Sequence, residues 1–147
     1  MLHKHLLSNL HHIGRIVPIH PSQINQRIDE EIYGFVRLKQ RYPSYLNQYD
    51  QLFRLVTVWL LTHGYDLTNN QPHQVLKAVC LLNCSDWDIE KMIEQRHLLK
   101  KQKISSGDVD AKSVLELQHC LHFFQTLLQA YIPLSCVSKQ AKYTTNH

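Results

Sequence analysis

Glycine is scarce in this chain, four in 147 residues, which excludes a collagen-like repeat. No window holds eighteen uncharged apolar residues. The densest apolar stretch, LFRLVTVWLL, is interrupted by Arg54 and is too short to cross a bilayer, so it reads as a buried helix and no membrane partner is expected. Sustained polar-apolar alternation is missing as well, which argues against strands and for an all-α fold. Two closely spaced C-x2-C pairs, the usual mark of a structural zinc site, do not occur. The N-terminus has neither a continuous apolar stretch nor a small-residue cleavage site, which predicts a cytoplasmic protein with reduced thiols.

What is present suits one domain with a real hydrophobic core: 44% of the residues are apolar. Sixteen Lys and Arg against twelve Asp and Glu leave a net charge of +4, enough to favour phosphates weakly but short of a nucleic-acid-coating protein. Eleven histidines are unusual, and five of them fall in the first twenty residues, MLHKHLLSNLHHIGRIVPIH. Histidines at that density would add positive charge on mild acidification. Cys80 and Cys84 stand one helical turn apart, and His119 and His122 flank Cys120, but the spacing reads as buried thiols, with Cys136 apart from them; no metal or cofactor is expected.

The punctuation divides the chain into a His-rich leader (1–20), a single bundle of four to five helices (21–132) and a flexible C-terminal tail (133–147). Pro21-Ser22 opens a first helix with Ile24, Ile28, Phe35 and Leu38 on one side, and Tyr42-Pro43 ends it. A second helix starts near Ser44 and stops at Gly64, a left-handed C-terminal position. It is apolar on both flanks, as expected of a helix at the centre of its bundle or at a subunit interface. GYDLTNNQP is a linker, and a short third helix runs from Pro72 to about Leu82. Ser85 and Asp88 form an acidic capping box for a fourth helix, which ends in SSGD. Asp108 or Asp110 caps a last helix with Val114, Leu117, Leu121, Phe124 and Leu128 on one face. The two-sided second helix, with Phe123 and Leu127 off the stripe of the last, predicts a homodimer.

The fourth helix, EKMIEQRHLLKKQK, carries the one charge pattern that calls for explanation. At 100° per residue, Ile89, Met92, Ile93 and Leu99 share a face and Arg96 falls in its middle. A guanidinium cannot lose its proton, so pointing inward it needs a carboxylate, such as Asp50 or Glu116, several carbonyls, or a phosphate held in a crevice. Lys100 and Lys103 continue the same line, and Lys101 lies beside them. Cations in a last helical turn also complement the helix dipole, an ordinary explanation for the lysines that does not account for the direction of Arg96.

The order of these features (a proline-started helix, YDQLFRLVTVWLLTHGYDLTNNQPHQVLKAV, a basic helix breaking at SSGDV and a long amphipathic final helix) resembles the HEPN superfamily of prokaryotic helical bundles over residues 22–132. That resemblance implies a dimerising bundle, RNA or nucleotide as ligand, and a toxin–antitoxin or defence setting, often with a nucleotidyltransferase-like partner. It also implies a nuclease motif of an arginine, a polar residue and a later histidine. Arg96 and His97 match the first two places and are the candidate catalytic pair, while Lys101, Gln102 and Lys103 stand where the histidine belongs. A lysine stays protonated near neutral pH and is a poor base. The expectation is therefore a degenerate domain that binds RNA or nucleotide phosphate through Arg96, Lys100, Lys101 and Lys103. The alternatives are a non-enzymatic interaction module, an adaptor or inhibitor, and an active RNase whose base is His97 or a partner subunit's His119 or His122. Arg15 to His20 repeats the arginine-to-histidine spacing, but Pro18 inside it would break a helix. His63 is expected in the core, hydrogen-bonded, and His73 at a helix start.

Overall fold

Helix boundaries fall largely where the punctuation residues put them. In a computed structural model that describes residues 2–84 and 86–134, the order is α1 (Leu2–His12), β1 (Ile16–Pro18), α2 (Pro21–Lys39), α3 (Tyr45–Thr62), β2 (Tyr65–Leu67), α4 (Pro72–Asn83), α5 (Ile89–Lys100) and α6 (Ala111–Leu127). Short 3-10 turns lie at Ser106–Asp108 and Gln129–Tyr131. The chain is thus mostly helical, an all-α bundle with one small sheet. Pro21 and Pro72 sit in the first turns of their helices, where the missing N–H costs nothing. Ser44 caps α3 by accepting from the Asn47 N–H at 3.1 Å, and His20 caps α2 by accepting from the Ser22 N–H, also at 3.1 Å.

α3 is the axis of the bundle. Eleven of its residues are buried, from Asn47 to Leu61, on all sides of the helix. It packs against α2, α4, α5, α6 and β2. Its two-sided apolar pattern is therefore satisfied within one chain, and no longer argues for a second copy. Of the expected stripe, Leu117, Leu121 and Phe124 of α6 and Leu128 at its C-cap reach the same core, joined by Cys120, while Val114 stays partly exposed outside it.

Four local features differ from the sequence expectation. The first is the linker, which contains β2, paired antiparallel with β1 in the register Ile16↔Leu67, Val17↔Asp66, Pro18↔Tyr65. Strands of three residues are too short to show alternation, and each is entered through a glycine at positive φ, Gly14 at +77° and Gly64 at +87°. The second is the start of α5. Asp88 is its N-cap residue, its side chain accepting from the Lys91 N–H at 3.1 Å; Ser85, the other half of the expected capping box, lies outside the described residues. The third is the end of α5. A Schellman turn at Gln102 (φ +58°) closes the helix, with Lys103 N–H donating to the Leu98 carbonyl at 2.9 Å and Gln102 N–H to Leu99 at 3.0 Å. Ser105 and Asp108 then form a capping box around the 3-10 turn, and Asp110 caps α6. The fourth is His63, which is exposed and caps α3 instead of joining the core; its Nδ1 lies 2.8 Å from the Trp59 carbonyl.

Of the leader over 1–20, residues 2–20 carry α1 and β1, and Leu7, Leu10 and Ile16 are buried in the same core as the later helices. The tail expected over 133–147 lies outside the described residues from 135 onward. A charge network ties α2 to its neighbours. Arg27 donates to both Asp66 oxygens, from Nε at 2.8 Å and Nη2 at 3.1 Å. It also donates to Glu30 at 3.1 Å and Glu31 at 3.2 Å, while Arg54 donates to Glu31 at 3.1 Å. The Asp66 hydrogen bonds outweigh partial burial and hold the Arg27 guanidinium above its ordinary pKa. Gly34 lets Arg54 lie across α2: a Cβ there would stand 2.6 Å from the Arg54 Cζ.

Candidate functional site

Arg96 projects from α5 toward α3, and its side chain is 21% exposed. The inward direction read from the helical wheel is the direction found. Its guanidinium carbon stands 5.0 Å from the centre of the Tyr49 ring, a cation–π arrangement. Tyr49 itself is fully buried. Asp50, one residue on and 42% exposed at its side chain, places Oδ1 3.9 Å from Arg96 Nη2. That is within ion-pair range but beyond a hydrogen bond. Glu116, the other carboxylate considered, lies elsewhere: it accepts from the Asp88 N–H at 3.3 Å. Arg96 Nε is buried and has no hydrogen-bond partner among the described residues.

The two helices meet here because α3 presents Tyr45 and Tyr49 one turn apart. Tyr45 donates its hydroxyl to the Met92 carbonyl at 2.8 Å, and Tyr49 lies under Arg96, one turn further along α5. Burial pushes both phenols above their ordinary pKa, Tyr49 against the opposing pull of Arg96, so both remain hydrogen-bonding hydroxyls at neutral pH.

A fourth group joins from α4. A hydrogen bond of 2.9 Å links the Tyr49 hydroxyl to His73 Nδ1, and the His73 ring also packs on Phe53, centroids 5.2 Å apart. Burial first, and then the Arg96 charge, lower the His73 pKa; Asp50 acts in the opposite sense. The imidazole is held neutral near pH 7, the form that accepts a proton. The sequence marks His73 as a helix-start residue, which it is, and nothing in it joins His73 to Arg96. The two are 23 positions apart on different helices, and no local pattern connects them.

The other sequence candidates are spread over the surface. His97, Lys100, Lys101 and Lys103 are all exposed, and none pairs with a carboxylate among the described residues. They surround the C-terminal end of α5, where the dipole accounts for cations without a ligand. His119 and His122, the histidines considered as outside help, are exposed on α6. Arg96, Tyr49, Asp50 and His73 therefore form the compact cluster, with the lysines as a loose positive surround.

Cys80, Cys84 and Cys120 make a separate group, the first and last buried and Cys84 half-buried; Cys136 lies outside the described residues. Cys120 and Cys80 place their sulfurs 3.6 Å apart, and Cys84 shares a hydrogen bond with Cys120. No set of three His, Cys, Asp or Glu side chains among the described residues is placed to hold a metal ion. The hydrogen bond to Cys120 and then burial push the Cys84 thiol up, and the hydrogen bond to Cys80 pushes Cys120 up. The thiolate is the reactive form. Half-buried Cys84 is accordingly expected to alkylate with iodoacetamide at pH 8 at least about ten-fold more slowly in the native protein than in the denaturant-unfolded chain, followed by peptide mass spectrometry. Equal rates would show that these contacts do not suppress its ionisation. A hollow of about 390 Å³ beside β1, over Arg27 and Asp66, offers no free cation for a phosphate, since the Arg27 donors are engaged by carboxylates.

Comparison with protein-family models, with curated proteins and with solved structures found no match for this chain.

Proposed function

We propose that this chain is a HEPN-like helical domain that binds RNA or a nucleotide phosphate at Arg96 without cleaving it, with Lys100, Lys101 and Lys103 adding a diffuse positive field. The observation that carries this reading is the state of the guanidinium. It is oriented by the Tyr49 ring, lies 3.9 Å from a partly exposed carboxylate, and keeps a buried Nε–H without an acceptor. A guanidinium oriented on an aromatic face is preorganised to offer paired N–H donors to two oxygens of a phosphate. The toxin–antitoxin or defence setting, a second copy of the chain and a nucleotidyltransferase-like partner belong to the same proposal, and rest on the resemblance alone.

A second reading, metal-independent RNA cleavage, is favoured by His73, a neutral imidazole two contacts from Arg96 through Tyr49. Unlike the exposed His97 proposed from the motif, His73 is held in place, by the Tyr49 hydroxyl and the Phe53 ring. Turnover separates the two readings. Metal-free protein should leave labelled RNA intact, whereas cleavage that disappears in His73→Gln with binding retained would favour the second.

Asp50→Asn tests the site itself. Asp50 competes with any anion for Arg96, and two charges about 4 Å apart in water interact by about 1 kcal/mol. Removing that competitor should tighten binding of a short RNA about three- to five-fold at low salt, with melting temperature nearly unchanged. A variant that melts much lower and binds no better would identify the Arg96–Asp50 contact as a structural ion pair and sink the proposal.

A further inference from the structure

The C-terminal half of α2 presents a surface that neither the core nor the Arg96 cluster uses. Tyr33 is 64% exposed and Tyr42, in the turn after the helix, is 83% exposed, among the most open large side chains of the described residues. Two arginines accompany them. Arg37 lies one turn after Tyr33, its guanidinium carbon 5.7 Å from the ring centre and its Nη1 donating to the Tyr33 hydroxyl at 3.4 Å. Arg41 follows one turn later, beside Tyr42, and is also exposed. Neither arginine pairs with a carboxylate among the described residues. The acids of this helix, Asp29, Glu30 and Glu31, stand before Tyr33, so the helix turns from acidic to basic along its length.

Basic residues near a helix C-terminus complement its dipole, and that accounts for their sign. It does not account for two tyrosine rings left in water beside them, where each forgoes the burial that an aromatic side chain ordinarily finds. Exposed aromatic rings beside guanidiniums that no carboxylate among the described residues engages are the elements of a platform for unpaired bases: the rings stack on bases, and the cations hold the phosphates. A duplex offers no free base face, and so could use only the cations. Arg41 and Tyr42 lead directly into α3, whose first two turns carry Tyr45 and Tyr49 against α5.

We infer that Tyr33, Arg37, Arg41 and Tyr42 form a contact surface for single-stranded nucleic acid, separate from the Arg96 cluster and not dependent on it. The test is fluorescence anisotropy with a labelled twelve-nucleotide single strand, RNA and DNA in turn, and with the matching duplex, across a salt series. Tyr33→Ala and Tyr42→Ala should each weaken single-strand binding about five-fold or more, and Tyr33→Phe and Tyr42→Phe should keep it. Arg37→Gln with Arg41→Gln should flatten the salt dependence by roughly 1.4 in the logarithmic slope, about 0.7 for each lost phosphate contact. All four side chains are exposed, so the variants should melt with the parent. Alanine variants that bind like the parent, or a duplex bound as tightly as the single strand, would overturn the inference. So would a loss of binding that tracks a change of oligomeric state in light scattering, which would assign the surface to self-association. Arg96→Ala, measured alongside, separates the two surfaces. Loss there alone overturns this surface and keeps the other, and loss in the tyrosine variants alone does the reverse. If the parent protein binds no strand at all, both fail.

Discussion

Replacing Arg96 by alanine is expected to weaken RNA binding by about ten-fold or more, while lowering stability by only about 1–2 kcal/mol. The stability side follows from the contacts. A partly exposed cation–π pair contributes roughly 0.5–1 kcal/mol, and an ion pair at 3.9 Å with a partner 42% exposed adds less than about 1 kcal/mol. The binding side follows from the strength of hydrogen bonds to charged groups, about 1.5–3 kcal/mol, or roughly ten- to a hundred-fold in affinity. Arg96→Lys should recover part of the affinity, because it keeps the charge but not the planar fork. Equilibrium binding and denaturant unfolding on the same preparations check both halves. A fall in stability above about 3 kcal/mol with RNA affinity unchanged would make Arg96 a buried structural cation.

The larger stability effect is expected at the other end of the chain. Leu7 and Leu10 of α1 are each 5% exposed, and truncating a buried leucine to alanine costs about 2–5 kcal/mol. They lie one turn apart and share neighbours, so their losses should combine to less than the sum. A combined Leu7→Ala, Leu10→Ala loss of about 4 kcal/mol would lower the melting temperature by roughly 10–20 °C in a domain of this size. Thermal unfolding measures this directly. Hydrogen exchange over residues 2–12 adds a second readout, since a weakened terminal helix opens before the rest. An unchanged midpoint with fast exchange in α1 would show that the bundle stands without it.

The bundle helices were largely legible in the sequence because their boundaries rest on local chemistry. Pro21, Ser44, Gly64, Pro72 and Asp110 act through their own backbone or through a hydrogen bond two or three residues away. The end of α5 was less legible, since the left-handed turn falls on Gln102 and not on the glycine of SSGD. His63 misled for a related reason: it continues the apolar stripe of α3, but the helix ends one residue before it, so it faces solvent as a cap. α1 is set apart in the sequence by its histidines, whereas what decides its place is the burial of Leu7 and Leu10, with His3 on the same face packed edge-on to Trp59.

By itself the sequence determined that the fold is helical, where the main bundle helices begin, and that Arg96 turns inward, because helix propensity, capping and a 100° repeat are properties of neighbouring residues. Only the tertiary structure decided what Arg96 meets. Tyr49, Asp50 and His73 reach it from two other helices, and the order of residues along a chain carries no direct record of which faces pack together. The same holds for the pairing of β1 with β2 across 46 intervening positions, Leu67 lying 51 residues after Ile16, and for Asp66, which completes the Arg27 network. Side-chain chemistry at such places depends on burial and on charges brought close by folding, as the lowered His73 pKa illustrates.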